Sequence, residues 1–202
     1  MTRFEFFFDC SSPWTYLGFV NVQPLAALHG VDIVWRPILV GGVFNAVNDS
    51  VYRNRENPVP AKAAYSRKDL QDWARLAGIA INWPSIFPVN SVKAMRGCFV
   101  AEEAGVLVPY AQRVFAAYWG EDRNIADDAV LGGIAEASGL GREHFLDRIA
   151  EPAVKERLKT NTQELIDRGG FGSPTMFVDG TDMYFGNDRL PLVDAALRRR
   201  AG

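Results

Sequence analysis

Cysteine and histidine are both scarce in this chain, with two of each among 202 residues. Cys10 and Cys98 form no Cys-x-x-Cys pair and no disulfide framework, which fits a reducing compartment and leads us to expect a cytosolic protein. His29 and His144 stand in no metal-ligand spacing with a cysteine or a carboxylate cluster, so no zinc or iron centre is expected. Excess charge is missing as well. The 22 Lys and Arg against 24 Asp and Glu leave a net charge of −2, the wrong balance for a surface that neutralises nucleic-acid phosphates. The run Arg198-Arg199-Arg200 reads as a solvated helix end, where cations complement the helix dipole. No apolar run reaches the roughly 20 residues needed to span a bilayer, and no opening segment has the order of an export signal. Internal repeats and low-complexity tracts are absent too.

What the chain does have is a buried-type strand running straight into a helix at Phe6-Phe7-Phe8-Asp9-Cys10-Ser11-Ser12-Pro13-Trp14-Thr15-Tyr16-Leu17. Two readings of the Ser12-Pro13 joint stand side by side. One is a plain helix start, with Ser at N-cap and Pro in the first turn. The other is a hydroxyl placed where unpaired backbone N–H groups and aligned peptide dipoles favour a negative charge, such as a thiolate. A distant segment, Gly169-Gly170-Phe171-Gly172-Ser173-Pro174-Thr175-Met176-Phe177-Val178, bears on the choice. A small residue, Pro, Thr and then an apolar strand resembles the cis-proline loop of thioredoxin-like proteins, and cis X-Pro bonds are uncommon enough to be informative.

Between these segments the pattern gives an order of elements. Phe4 to Phe8 reads as a core strand, and Pro13 to Leu28 as a helix with Leu17, Val20 and Leu28 on one face, a kink at Pro24 and a stop at Gly30. Val31 to Arg36 is the next strand, and the helix between makes a parallel βαβ unit. Asn45 to Pro60 reads as a long loop. Ala61 to Ala77 follows as a helix with Tyr65, Leu70, Trp73 and Leu76 at compatible spacing and Gly78 as its stop. The stretch Ile81 to Asn90 reads as a second loop, with Trp83 and Phe87 among its prolines. Ser91 to Ala104, Val108 to Trp119, Asp127 to Ser138, Arg142 to Ile149 and Pro152 to Arg168 form a helical block. Strand grammar returns at Thr175 to Val178 and Met183 to Phe185, before a last helix from Arg189 to Arg200. The assembled class is α/β, a thioredoxin-like fold with a large all-helical insertion. The expected boundaries are 1–42 and 169–202 for the thioredoxin-like part and 43–168 for the insertion.

Several segments together carry a resemblance. Phe8-Asp9-Cys10-Ser11-Ser12-Pro13 with Tyr16-Leu17, Pro60-Ala61-Lys62 with Tyr65, and Asn90-Ser91 with Arg96 make up its first half. Phe171-Gly172-Ser173-Pro174-Thr175-Met176-Phe177 and Phe185-Gly186-Asn187-Asp188-Arg189-Leu190 complete it. They resemble the family of 2-hydroxychromene-2-carboxylate isomerases and kappa-class glutathione transferases, in the DsbA-like branch of the thioredoxin superfamily. The likeness covers nearly the whole chain.

The resemblance implies a fold, a cofactor and roles. Ser12 takes the place of the attacking cysteine of the redox relatives and Thr15 that of the second cysteine, so disulfide chemistry is excluded at the joint. Cys10 lies two residues too early to substitute, and its closeness leaves sensitivity to oxidation open. The cofactor is glutathione, whose thiolate adds to the substrate's conjugated system; the ring opens, a bond rotates and glutathione leaves. The implied product is trans-o-hydroxybenzylidenepyruvate, in naphthalene-type aromatic catabolism. For glutathione the resemblance points to Ser173 and Pro174 on the cysteinyl backbone, Asn187 and Asp188 at the γ-glutamyl end, Lys62 at the glycyl carboxylate, and either Asn54 or Asn57. Asp188 also reads as a helix cap and Lys62 as a solvated lysine. Tyr16, Trp83, Phe87 and Asn90 read either as an aromatic substrate's slot or as core, and Arg96 as pairing with the substrate carboxylate or with a neighbouring helix. A homodimer is implied. A kappa-like transferase or peroxidase, and a non-catalytic thioredoxin-like binding module, are the rival readings.

Overall fold

A computed structural model describes residues 2–201. Strand β1 (Phe4–Phe8) is buried at every residue, which is why it reads as an unbroken aromatic run and not as an alternation. It lies inside a four-stranded sheet of order β2-β1-β3-β4, where β2 is Ile33–Pro37, β3 Thr175–Val178 and β4 Asp182–Phe185. β1 pairs parallel with β2 and antiparallel with β3, with Phe6 opposite both Trp35 and Met176. The antiparallel pairing fixes the site. It sets the end of β1, where the chain turns toward Ser12, beside the start of β3, which follows Ser173 and Pro174.

Helix α1 (Pro13–His29) connects β1 to β2 and runs through Pro24 without a break before Gly30 ends it with φ +60°. Its buried face is Thr15 to Phe19, Val22 and Ala26. Leu28, expected on that face, is 71% exposed, because it lies about 200° round the helix from Ala26. The loop expected over 45–60 is largely helical. α2 (Val40–Val47) and α3 (Ser50–Glu56) occupy it, and only Asn57 to Val59 connect to α4 (Pro60–Ala77). The apolar side of α2 packs on the later helix α9 (Pro152–Asp167), a contact that local composition does not display. On α4, Leu70 and Ala74 are buried, whereas Tyr65 and Leu76 face water. The loop at 81–90 is present as read.

After it come α5 (Val92–Glu103), α6 (Leu107–Phe115), α7 (Asp128–Ala137) and α8 (Arg142–Ala150). α6 widens into a π turn at Ala116–Gly120, and Tyr118 and Trp119 are buried there. A 3-10 turn at Asn187–Arg189 leads into α10 (Leu190–Ala201). No described helix is long and apolar enough to cross a membrane. One buried cluster runs from Phe4, Phe6 and Phe8 through α1 into α5, α6, α7 and α8, so the sheet and the helices share a core.

The opposite face of the sheet carries a smaller cluster of Phe7, Ile38, Val43, Leu165 and Phe177, and a charge sits against it. Glu5 is fully buried and pairs with Arg168 at 2.7 Å, whose guanidinium lies 3.8 Å from the Phe177 ring centroid. Burial pushes the Glu5 carboxyl up, but the bond and charge of Arg168, with Arg3 and Arg36, more than offset this and leave it below its ordinary value. Its stabilising contribution is therefore present above the ordinary carboxylate range and lost as pH falls through the lowered folded value. Replacing Arg168 by Gln leaves Glu5 buried without its main partner. Urea denaturation at neutral pH should show a loss of about 3–5 kcal/mol, shrinking below about pH 4 as the carboxyl protonates. An unchanged denaturation midpoint would contradict the role given to this pair.

Candidate active site

Ser12 is the N-cap of α1, extended at φ −111° and ψ 125°, and its Oγ accepts the Thr15 N–H at 3.3 Å. The same hydroxyl donates toward the Ser173 carbonyl at 3.5 Å, a long and weak contact. The half-buried hydroxyl thus bridges two segments that the sheet brings together. The Ser173–Pro174 peptide is cis, as the loop pattern predicts.

Behind Ser12 the buried Ser173 hydroxyl accepts the Asp9 N–H at 3.1 Å and bonds the Thr15 hydroxyl at 2.8 Å. Beyond the contact with the cysteinyl backbone that the resemblance implies for Ser173, its side chain ties the cis-proline loop to both the end of β1 and α1. Gly18 closes the same contact one turn along: a Cβ there would lie 2.9 Å from Pro174 Cγ. A larger residue would push α1 off the loop.

Asp9, three residues before Ser12, is wholly buried. Its carboxylate accepts from the Ser11 N–H at 2.9 Å, the Val40 N–H at 2.8 Å and the Ser91 hydroxyl at 3.0 Å. It caps α2 across space, because Leu39, the N-cap by position, supplies no side-chain bond. Burial pushes the Asp9 carboxyl above its ordinary value, the three donors pulling the other way. Cys10 is also fully buried, and burial with Cys98 close by holds its thiol well above the ordinary value. That makes it a neutral, inaccessible thiol, and the sensitivity to oxidation left open from its place in the sequence does not follow.

The aromatic side of the joint is organised by Trp119, whose indole N–H donates to the Cys10 carbonyl at 2.9 Å. Trp83 and Phe87 lie 6.2 and 6.3 Å from it and 4.6 Å from each other. Trp83 is 62% exposed, so this loop presents an open aromatic face beside the joint instead of a filled core. Tyr16 is different: it is almost wholly buried and stacked at 4.9 Å on Phe115. The exposed Asn90 accepts the Val92 N–H at 3.1 Å at the start of α5, which gives it a turn-forming job.

The remaining residues are placed as follows. Lys62 is exposed in the first turn of α4, and Asn54 and Asn57 are exposed on and just after α3. Asn187 is buried and accepts from Asn21 of α1 at 3.0 Å, while its own Nδ2 has no partner. Asp188 beside it is exposed and pairs with Arg189. Arg96 lies apart. It lines a groove of about 920 Å3 between α2, α5 and α9, which none of Ser12, Ser173, Trp83 or Phe87 lines. Its Nε is buried without a hydrogen bond, and burial lowers the pKa of its guanidinium.

Asp9, Ser91 and Trp119 are site-building residues missed in the sequence, and Thr15, set by the resemblance at the second cysteine's place, acts there through its bond to the Ser173 hydroxyl. The one local signal was the acidic residue ending an aromatic strand, since a carboxylate in that place needs donors. Ser173→Ala would remove the acceptor of the buried Asp9 N–H and the partner of the buried Thr15 hydroxyl. Thermal denaturation should register a loss of roughly 1–3 kcal/mol; a change below about 0.5 kcal/mol would mean that the network does not hold the loop.

A family described as the DSBA-like thioredoxin domain matches residues 3–198. The chain is 34% identical over 197 residues to 2-hydroxychromene-2-carboxylate isomerase of Pseudomonas putida, covering 96% of this chain and 94% of that one. It is 29% identical to human glutathione S-transferase kappa 1, with 94% and 88% covered. Among solved structures, a 2-hydroxychromene-2-carboxylate isomerase superposes with a TM-score of 0.83 at 30% identity, over 98% of this chain and 96% of that chain. The chain therefore belongs to the DsbA-like thioredoxin family, in the branch of the 2-hydroxychromene-2-carboxylate isomerases and kappa-class glutathione transferases.

Proposed function

We propose that this chain is a glutathione-dependent isomerase that converts 2-hydroxychromene-2-carboxylate to trans-o-hydroxybenzylidenepyruvate. The observation that carries the reading is the Ser12 hydroxyl, fixed at a helix N-terminus and turned toward the carbonyl before a cis-proline. Both cysteines of the chain are buried, so a thiol nucleophile has to come from outside. Glutathione, when bound, supplies that thiolate for addition to the conjugated substrate.

The chain's residues suit this use. Ser12 receives the Thr15 N–H on one lone pair, which sets the orientation of its oxygen. Its own proton is held only by the long contact to Ser173, so turning it to a nearby sulfur sacrifices little. A free thiol titrates near about 8.5. A charge-assisted bond from Ser12, helped by the α1 dipole, lowers that by about one unit per 1.4 kcal/mol. Ser173 offers a backbone carbonyl for an extended peptide, with Pro174 fixing the turn. The Asn187–Arg189 turn offers N–H groups for a carboxylate, and Asp188 an acid for an ammonium. Lys62 supplies a cation for the glycyl end, and Asn54 or Asn57 a polar side chain near it. Trp83 and Phe87 offer a face for the substrate's ring, and Tyr16 backs the joint.

We further propose a cytosolic homodimer. Two free buried cysteines and a thiol cofactor are compatible with a reducing compartment.

The kappa-class relative at 29% identity favours one second reading, a transferase using the same activated thiol on other electrophiles. Ser12→Ala should lower the turnover rate by about 10²–10³-fold, as for loss of one anion-stabilising donor, with glutathione affinity nearly kept. The measurement is loss of the chromene's ultraviolet absorbance with and without glutathione. Wild-type rate in the Ala variant would remove Ser12 from the mechanism. Absence of glutathione-dependent turnover by the wild type, with conjugation of an aryl halide, would select the transferase.

A further inference from the structure

We propose that the groove between α2, α5 and α9 is a second binding site, separate from the Ser12 joint, for a small monocarboxylic acid with an apolar body. Its volume of about 920 Å3 falls in the range of sites that enclose small molecules, roughly 300–1,000 Å3. Leu39 just before α2, Val92 on α5, and Leu158 and Ile166 on α9 give it apolar walls. Val92 and Arg96 stand four residues apart on α5, as do Lys155 and Lys159 on α9, so a stripe of each helix lines the space.

The charges in the groove do not cancel. Arg96, Lys155, Lys159 and Arg168 line it together with Glu156, Glu164 and Asp167, and every one of those carboxylates already has a partner. Glu156 pairs with Lys159 at 3.5 Å, Glu164 pairs with Arg168 at 2.9 Å, and Asp167 accepts from Gln163 at 2.7 Å. Arg168 is held by the buried Glu5 as well. Among the described residues this leaves Arg96 and Lys155 without an ion pair. Arg96 decides the chemistry, because its Nε is out of water and makes no hydrogen bond. A buried donor without an acceptor is costly, and a bound oxygen that meets it removes the cost. The guanidinium presents a planar fork that matches a carboxylate, and Lys155 adds a movable ammonium in the same groove. A neutral apolar molecule would leave the Arg96 donor unmet. A phosphate ester or other polyanion would set a further negative charge among Glu156, Glu164 and Asp167, which repel it. One negative charge on an apolar body fits both the surplus cations and the walls.

The test follows octanoate by isothermal titration calorimetry, with octanamide and acetate for comparison. The wild type should bind octanoate about 10- to 100-fold tighter than octanamide, as for a charge-assisted bond, and about 10-fold or more tighter than acetate, which lacks the chain. Arg96→Gln should abolish the preference for acid over amide, Arg96→Lys should keep part of it, and Lys155→Gln should reduce it by a smaller factor. Trp83→Ala should leave all three affinities unchanged. Absence of saturable octanoate binding by the wild type overturns the proposal, as does an unchanged preference in Arg96→Gln or Lys155→Gln. Loss of binding in Trp83→Ala would put the acid at the aromatic loop, and binding that sedimentation shows to split an oligomer would mean that a second copy fills the groove; either outcome also overturns it. Lys155→Gln alters a half-buried side chain with no ion pair to lose, so it reads the site even if Arg96→Gln folds poorly, and superposable circular dichroism verifies the fold of each variant.

Discussion

A carboxylate taken wholly out of water costs several kcal/mol unless its lone pairs are met by donors, and Asp9 meets that condition with donors from three separate segments. The Ser11 N–H comes from the turn into α1, the Val40 N–H from the start of α2 and the Ser91 hydroxyl from the start of α5. Each bond satisfies Asp9 and at the same time fixes the segment that gives it. The turn carries Ser12, α2 carries Phe44 and leads through α3 to the start of α4, and α5 follows directly on the loop of Trp83 and Phe87. The three parts of the site are positioned against one another by a single buried side chain.

The cis-proline loop is joined to the same point by different chemistry. Ser173 accepts the Asp9 N–H and bonds Thr15, and the close approach of Gly18 to Pro174 lets α1 lie against it. Ser12 then has rigid neighbours on both sides, and its hydroxyl keeps one weak contact that can be exchanged. On the proposed glutathione reading, a donor held in place before the charge arrives would stabilise the thiolate without reorganising at the moment of reaction. That reading needs a rigid oxygen and a movable proton, and the Thr15 N–H on the oxygen with the long contact to Ser173 suits it.

Buried charge elsewhere follows the same rule with the opposite outcome for acidity. Glu5 faces a guanidinium and titrates low, whereas Asp9 faces neutral donors and titrates high. Glu5 lies on β1 and Asp9 just past its end; charged partners outweigh desolvation at Glu5, whereas neutral donors do not at the more deeply desolvated Asp9.

The motifs with a fixed local geometry were legible without coordinates. Ser-Pro at a helix start, Ser-Pro before an apolar strand and Gly30 after a helix specify backbone shapes through their own dihedral restrictions. The thioredoxin-like order and the pairing of Ser12 with the cis-proline loop follow from them and from the wide resemblance. The sequence could not reveal that α2 and α3 are helical, since α2 is held by packing on α9 and by a cap from Asp9, both far away in the chain. Nor could it separate Trp83 from Tyr16, one open to water and one stacked in the core. Local rules act on dihedral angles and on neighbours a turn away. Which ring stays wet and which packs depends on the side chains that long-range contacts bring beside it, and only the tertiary structure supplies those.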